Sequence, residues 1–300
     1  MKHFKFQQTA VHHIYQRAAD KGVIFYTLQD RLVYLTLAAS KAKRYGVTIL
    51  AASIMFTHIH QSVLASSERD LKRYLHDTNT SFARLYNYRH CRKGRLFSRP
   101  PGHSQKFSSK QKRTNIIYVF NNHVENKLCK KTTEERWGFL AYALSDNPFS
   151  DSINLTTASP ALVKAIRLTN RKIRKLKALE YKDLDRILKN LDKSEIEQFA
   201  DYVISKFAWV DFSAATAFFN DLESLLIAAD ATTGAEYDIN EDRSTTPDTA
   251  YIDLVKFVDA HKKLDKLFTL SSDELTELFM EAQLKTSATI YQLRAFFHIS

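Results

Sequence analysis

Only two cysteines, five prolines and six glycines are spread over the 300 residues of this chain, and no apolar run approaches the ~20 residues that cross a bilayer. Cys91 and Cys129 are too few to staple a small extracellular fold, and the short apolar runs argue against membrane insertion. The opening residues MKHFKFQQTAVHHIYQR hold no apolar stretch ahead of a small-residue cleavage site. A cytoplasmic protein is expected. Its length allows two domains at ~100–200 residues each, with ample chain for a hydrophobic core.

Acidic side chains are missing altogether between Asp77 and Glu125. Residues 1–130 carry 23 Lys and Arg against 6 Asp and Glu, a local charge of +17, whereas residues 131–300 carry 21 against 27, or −6. The acid-free stretch contains Arg84, Arg89, Arg92, Lys93, Arg95, Arg99, Lys106, Lys110, Lys112 and Arg113. A merely solvated face would intersperse both signs to limit self-repulsion, so these ten residues read as a polyanion footprint with nucleic acid as partner. Tyr86, Tyr88, Phe97 and Phe107 are interleaved with them, as a single-strand groove requires if bases stack while phosphates are neutralised. Core packing claims some of these rings.

The pattern of apolar residues predicts α+β architecture up to about residue 155 and helices thereafter. Residues 11–17, 47–55 and 58–64 read as strands, the last two pairing antiparallel across a short connection. Residues 29–44, 68–87 and 114–127 read as helices on the small antiparallel sheet, and residues 98–113, with two prolines, a glycine and four serines, as a mobile basic loop. Two domains are expected, 1–155 and 156–300. Ser159-Pro160 opens the helical region, Ser194 with Glu197 has capping-box spacing, and 229–250 reads as an acidic, threonine-rich linker. The pair of helices at 273–284 and 288–298 allows a helix-turn-helix within 273–299, although the second offers only Tyr291, Gln292 and Arg294 as readers.

His58-Ile59-His60 lies on the third strand, where alternation sends both imidazoles to one side of the sheet. The spacing alone is weak in a chain with eleven histidines. On the helix of residues 114–127, Ile116, Ile117, Phe120, Val124 and Leu128 share one side, while Tyr118, Asn122 and Glu125 share the other. Tyr118 is therefore expected outside the core, either as a half-exposed seam residue or as a functional phenol. Asn122, one turn on, offers an amide oxygen that completes a metal site with the two imidazoles. Two neutral nitrogens and an oxygen, with room for water and phosphate oxygens, suit Mg²⁺ or Mn²⁺. Cys91, Cys129 and His103 lack the spacing of a structural zinc site.

These segments resemble a known family. HHIYQRAADKGVIFYTLQDRLVYLTLAASKAKRYGVTILAASIMFTHIHQSVLA, DLKRYLHDTNTSFARLYNYRHCRKGRLF and YVFNNHVENKL are similar to the HUH single-tyrosine transposases, particularly the REP-associated type, over about residues 11–150. Members carry two histidines flanking a hydrophobic residue on a central strand and a nucleophilic tyrosine within a Tyr-Ile-x-x-Asn-Pro-Val stretch. The resemblance implies His58 and His60 as metal ligands, Tyr118 as nucleophile and Asn122 as third ligand. Phe56-Thr57 replace the family's usual Pro-Asn before the first histidine, and His123 replaces the proline after the asparagine.

The implied activity is nicking and rejoining of single-stranded or hairpin DNA through a 5′-phosphotyrosine, with Mg²⁺ or Mn²⁺ polarising the phosphate. Such a protein would associate with the nucleoid when bound to DNA. The helical half would serve a protein partner, a homodimer contact or autoinhibition. The rival expectation is a catalytically silent nucleic-acid-binding regulator of the same fold.

Overall fold

The computed structural model describes residues 6–98, 100–231, 248–261 and 263–299. Arg99 and most of the expected linker, 232–247, lie outside them. The chain begins with β1 (Val11–Arg17), α1 (Leu28–Tyr45), β2 (Val47–Ile54), β3 (His58–Ala65), α2 (Glu68–Arg89), β4 (Gly102–Lys106) and α3 (Ser109–Glu125). Three short 3₁₀ turns follow between Thr132 and Ala143. Next come α4 (Pro160–Arg174), α5 (Tyr181–Leu188), α6 (Lys193–Phe207), α7 (Phe212–Thr216) and α8 (Leu222–Asp230). The described chain ends with α9 (Thr249–Ala260), α10 (Ser272–Lys285) and α11 (Ile290–Phe297). The architecture is α+β: one antiparallel sheet of order β2-β3-β1-β4 with helices on both faces, followed by a helical C-terminal region.

Local chemistry explains the borders. Thr27 and Asp30 form a reciprocal capping box at the start of α1, and Gly46, at φ +61°, closes it in the left-handed conformation that glycine adopts without a Cβ penalty. Residues 98–113 are not the single loop expected. Gly102–Lys106 pairs with β1 as an edge strand, and α3 starts at Ser109 behind a Ser108–Gln111 capping box. The edge strand is held by backbone ladder bonds, which need no β-branched side chains. The cap of α6 also differs from expectation: Asp192 with Glu195 forms the box, two residues before Ser194 and Glu197.

One face of the sheet, bearing Ile14, Ile59 and Val63, is covered by α1 and α2, with Tyr34, Tyr74 and Phe82 fully buried. The other face is polar and is covered by α3. A bulge at Leu50 helps to create it. The β2–β3 register shifts between Ile49 and Ala51, so that Ser53 comes opposite His60 on the face of α3.

The apolar core runs without a break from the sheet into α4–α8, and Asp30 anchors that continuity. Its buried carboxylate accepts hydrogen bonds from the Tyr26 and Thr27 amides, from His90 at the end of α2 (3.0 Å) and from the Tyr181 hydroxyl at the start of α5 (2.7 Å). Burial opposes its ionisation, but the bond and charge of His90, then Tyr181 and Thr27, hold its pKa below the ordinary carboxylate value. A depressed carboxylate stabilises the fold above its unfolded pKa and loses that contribution as pH falls through the folded one. Asp30→Ala, which strands His90 and Tyr181, should lower the unfolding free energy at pH 7 by about 3–5 kcal/mol. Tyr181→Phe should cost about 1–2 kcal/mol. Denaturant titration reads both, and losses under about 0.5 kcal/mol would refute this anchoring role.

Candidate active site

Three strands and one helix converge on the polar face. Antiparallel pairing sets Arg17 opposite His58, Tyr15 opposite His60 and His13 opposite Ser62, so the side chains of β1 and β3 line one surface. His58 and His60 rings meet edge-on at 4.9 Å. Tyr15 stacks on His60 at 4.7 Å, and its hydroxyl accepts a bond from Arg17 Nε. His13 Nε2 and His60 Nδ1 lie 3.0 Å apart, one donating and the other accepting.

The Tyr118 ring stands edge-on to both His60 (5.5 Å) and His13 (5.7 Å). Tyr118 thus meets His60 of the expected pair, together with His13, which was not expected. Its surroundings differ from expectation: Tyr118 is only 6% exposed, Asn122 2% and His60 0%, whereas His58 is half-buried. The division of α3 into two sides holds, but both sides are largely buried, with Ile117, Val124 and Glu125 half-buried. Ile116 and Phe120 are buried, with Phe120 stacking on Phe212 and Asn121 donating to the Ala229 carbonyl from α8. On the sheet side, Asn115 accepts from Ser62, and His123 Nδ1 lies 3.3 Å from Ser53 Oγ. The polar side of the helix is buried because the sheet surface beneath it is polar too.

Asn122 Oδ1 accepts from Asn126 Nδ2 at 3.2 Å, and a carbonyl oxygen retains a second lone pair. Burial, with Arg17 and His123, pushes His58 down to about pKa 3, and burial with His58, His13, Arg17 and His123 holds His60 well below its ordinary value. Both are neutral at physiological pH, the form that ligates metals. With Nδ1 engaged by His13, a metal on His60 would have to take Nε2. The three expected ligands thus offer two neutral imidazoles and an amide oxygen that retains one lone pair. Among the described residues, no three His, Cys, Asp or Glu side chains gather as a metal group.

His13, Tyr15 and Arg17 were not among the site residues expected from sequence. Their alternation on β1 was visible, but their placement beside His58 and His60 depends on strand pairing across more than forty residues.

The basic segment divides. Arg84, Lys93, Arg95, Lys110 and Arg113 are exposed, and Lys106 and Lys112 half-buried. Arg89 reaches Asp185 (3.4 Å) and Asp265 (3.6 Å), and Arg92 reaches Asp20 (3.6 Å), so two expected DNA contacts are engaged within the fold. Tyr86 and Phe97 belong to the core, whereas Tyr88 and Phe107 are 88% and 47% exposed. In the C-terminal helix pair, Tyr291 and Arg294 are exposed but Gln292 is buried in the cap of α11.

The buried imidazoles make stability pH-dependent. Burial first, then Lys106 and His103, lowers His13 to about pKa 3. Below the unfolded value of ~6.5 the unfolded chain binds the extra proton, so stability falls as pH drops, by up to about 1.4 kcal/mol per unit for this group. His13→Gln, which keeps a polar partner for His60, should flatten the decline in unfolding free energy between pH 6 and 5 by about 1 kcal/mol. An unchanged slope would contradict a buried, neutral His13.

No family model and no curated protein matches the chain. Among solved structures, the chain is similar to one named "Structure of the REP associates tyrosine transposase bound to a REP hairpin", at 12% identity and a TM-score of 0.40, covering 48% of this chain and 86% of that one. No helix among the described residues is long and apolar enough to cross a membrane.

Proposed function

We propose that this protein is a divalent-metal-dependent, DNA-nicking and strand-transferring enzyme of the HUH single-tyrosine type, acting on single-stranded or hairpin DNA. The observation that carries this reading is the meeting of the Tyr118 ring with His60, itself beside His58. This contact would put a nucleophilic phenol beside a neutral imidazole, with Asn122 one helical turn along α3 as the proposed third donor. Tyr118 would attack phosphorus, the 3′-oxygen would leave and a 5′-phosphotyrosine would form. The phenol proton would be lost to water and the departing 3′-oxygen would take one up, so the step is neutral in protons.

When bound by His58, His60 and Asn122, Mg²⁺ or Mn²⁺ would stabilise charge on the scissile phosphate. The half-buried His58 marks the side from which a strand would approach. The exposed cations of 84–113 would position the backbone, and Tyr88 and Phe107 would stack on bases. The covalent link conserves bond energy, so a second 3′-hydroxyl can reverse it and rejoin strands.

The burial of Tyr118 and Asn122 favours a second reading, a catalytically silent nucleic-acid-binding regulator in which the cluster is structural. The two differ in their products. Incubation with hairpin-bearing single-stranded DNA and Mn²⁺ or Mg²⁺, followed by denaturation in detergent, should leave a covalent protein–DNA adduct. Tyr118→Phe should abolish it, and His58→Ala should reduce it at least about 100-fold, as loss of a transition-state charge stabiliser does. Binding without an adduct, or an adduct that survives Tyr118→Phe, would establish the second reading or a different nucleophile.

A further inference from the structure

The C-terminal half is acidic in sum, yet no acid lies between Asp151 and Glu180, while Lys164, Arg167, Arg171, Lys172, Arg174, Lys175 and Lys177 all fall there. On α4, Lys164, Arg167, Arg171 and Arg174 occupy positions i, i+3, i+7 and i+10, within an arc of about 80° and over about 15 Å of helix. All four are exposed. With Arg186 of α5 they border a groove of about 740 Å³ whose wall includes Leu168 and Ile187.

The acids of α5 are already engaged. Asp183 pairs with Lys172 (2.6 Å) and Arg186 (3.8 Å), Asp185 with Arg89 (3.4 Å), and Glu180, at the cap, with Lys182 (2.9 Å). Lys164, Arg167, Arg171 and Arg174 make no ion pair among the described residues. Like charges three and four residues apart destabilise an isolated helix by about 0.2–0.5 kcal/mol per pair, a cost that a bound polyanion removes. Three of the four are arginines, whose planar fork matches phosphate oxygens.

We propose that the groove between α4 and α5 is a second nucleic-acid-binding surface, which takes the phosphodiester backbone along Lys164, Arg167, Arg171 and Arg174 with sugars against the apolar wall. A strand running past an array of this length meets it over a few successive phosphates. This surface goes beyond the Tyr118 reading and does not depend on it, since its test reads binding and not adducts.

The test is fluorescence anisotropy with the full chain and a labelled DNA hairpin carrying a single-stranded tail, over a salt series. The triple variant Arg167→Gln, Arg171→Gln, Arg174→Gln should bind about tenfold or more weakly near 0.1 M salt, with its log–log salt slope shallower by about 2–3. Lysine at the same three positions should restore most of the slope. Wild-type affinity and slope in the folded glutamine variant would overturn the proposal, as would competition by polyglutamate equal to that by unlabelled DNA at the same charge concentration. Should the variant not fold, phenylglyoxal labelling of the wild-type chain decides: DNA should shield Arg167, Arg171 and Arg174, and equal labelling with and without DNA would refute the site.

Discussion

The polar side of α3 lies on a polar sheet face, and the candidate chemistry depends on that contact. His13, Tyr15, His58, His60, Ser53 and Ser62 would be costly to bury beneath an apolar helix, because unmatched polar groups lose their hydration. Asn115 meets Ser62, His123 meets Ser53 and Tyr118 meets the His13–His60 pair. Neutral imidazoles are a consequence of this burial as much as a requirement of ligation. The same packing gives the helix a second buried side, since Phe120 and Asn121 must meet α7 and α8. The C-terminal region therefore helps to hold the candidate nucleophile in place.

Much of this was legible from local patterns. β-branched runs marked β1, β2 and β3, and the apolar spacing of α1 and α2 marked the helices that cover the hydrophobic face. The alternation of His58 and His60 about Ile59 placed both imidazoles on one surface. β4 was hidden because Gly102–Lys106 has no strand-forming side chains and is held through its backbone on one edge. The division of α3 into an apolar and a polar side was also legible, but the inference that the polar side faces solvent fails where a sheet supplies an equally polar surface. Likewise, His13 and Tyr15 enter the site through pairing between distant strands, and the Leu50 bulge that turns Ser53 toward His60 has no local marker.

Charge followed a similar course. The excess of cations before residue 131 identified one basic surface, but two of its arginines turned inward to Asp20, Asp185 and Asp265. The negative sum of the remaining residues concealed a helix with a basic face, because α5 and its cap Glu180 place their carboxylates on Lys172, Lys182, Arg89 and Arg186 and leave the exposed face of α4 uncompensated. Net charge constrains partners only after pairing within the fold has been subtracted.

The claim that a divalent cation and a phenol share this cluster is tested most directly by paramagnetic NMR of the histidine and tyrosine side chains. Substoichiometric Mn²⁺ should selectively broaden the ring resonances of His58, His60 and Tyr118, and His58→Ala should remove the effect. Broadening confined to exposed histidines such as His76 and His261, with His58, His60 and Tyr118 unchanged, would contradict a metal centre on this face.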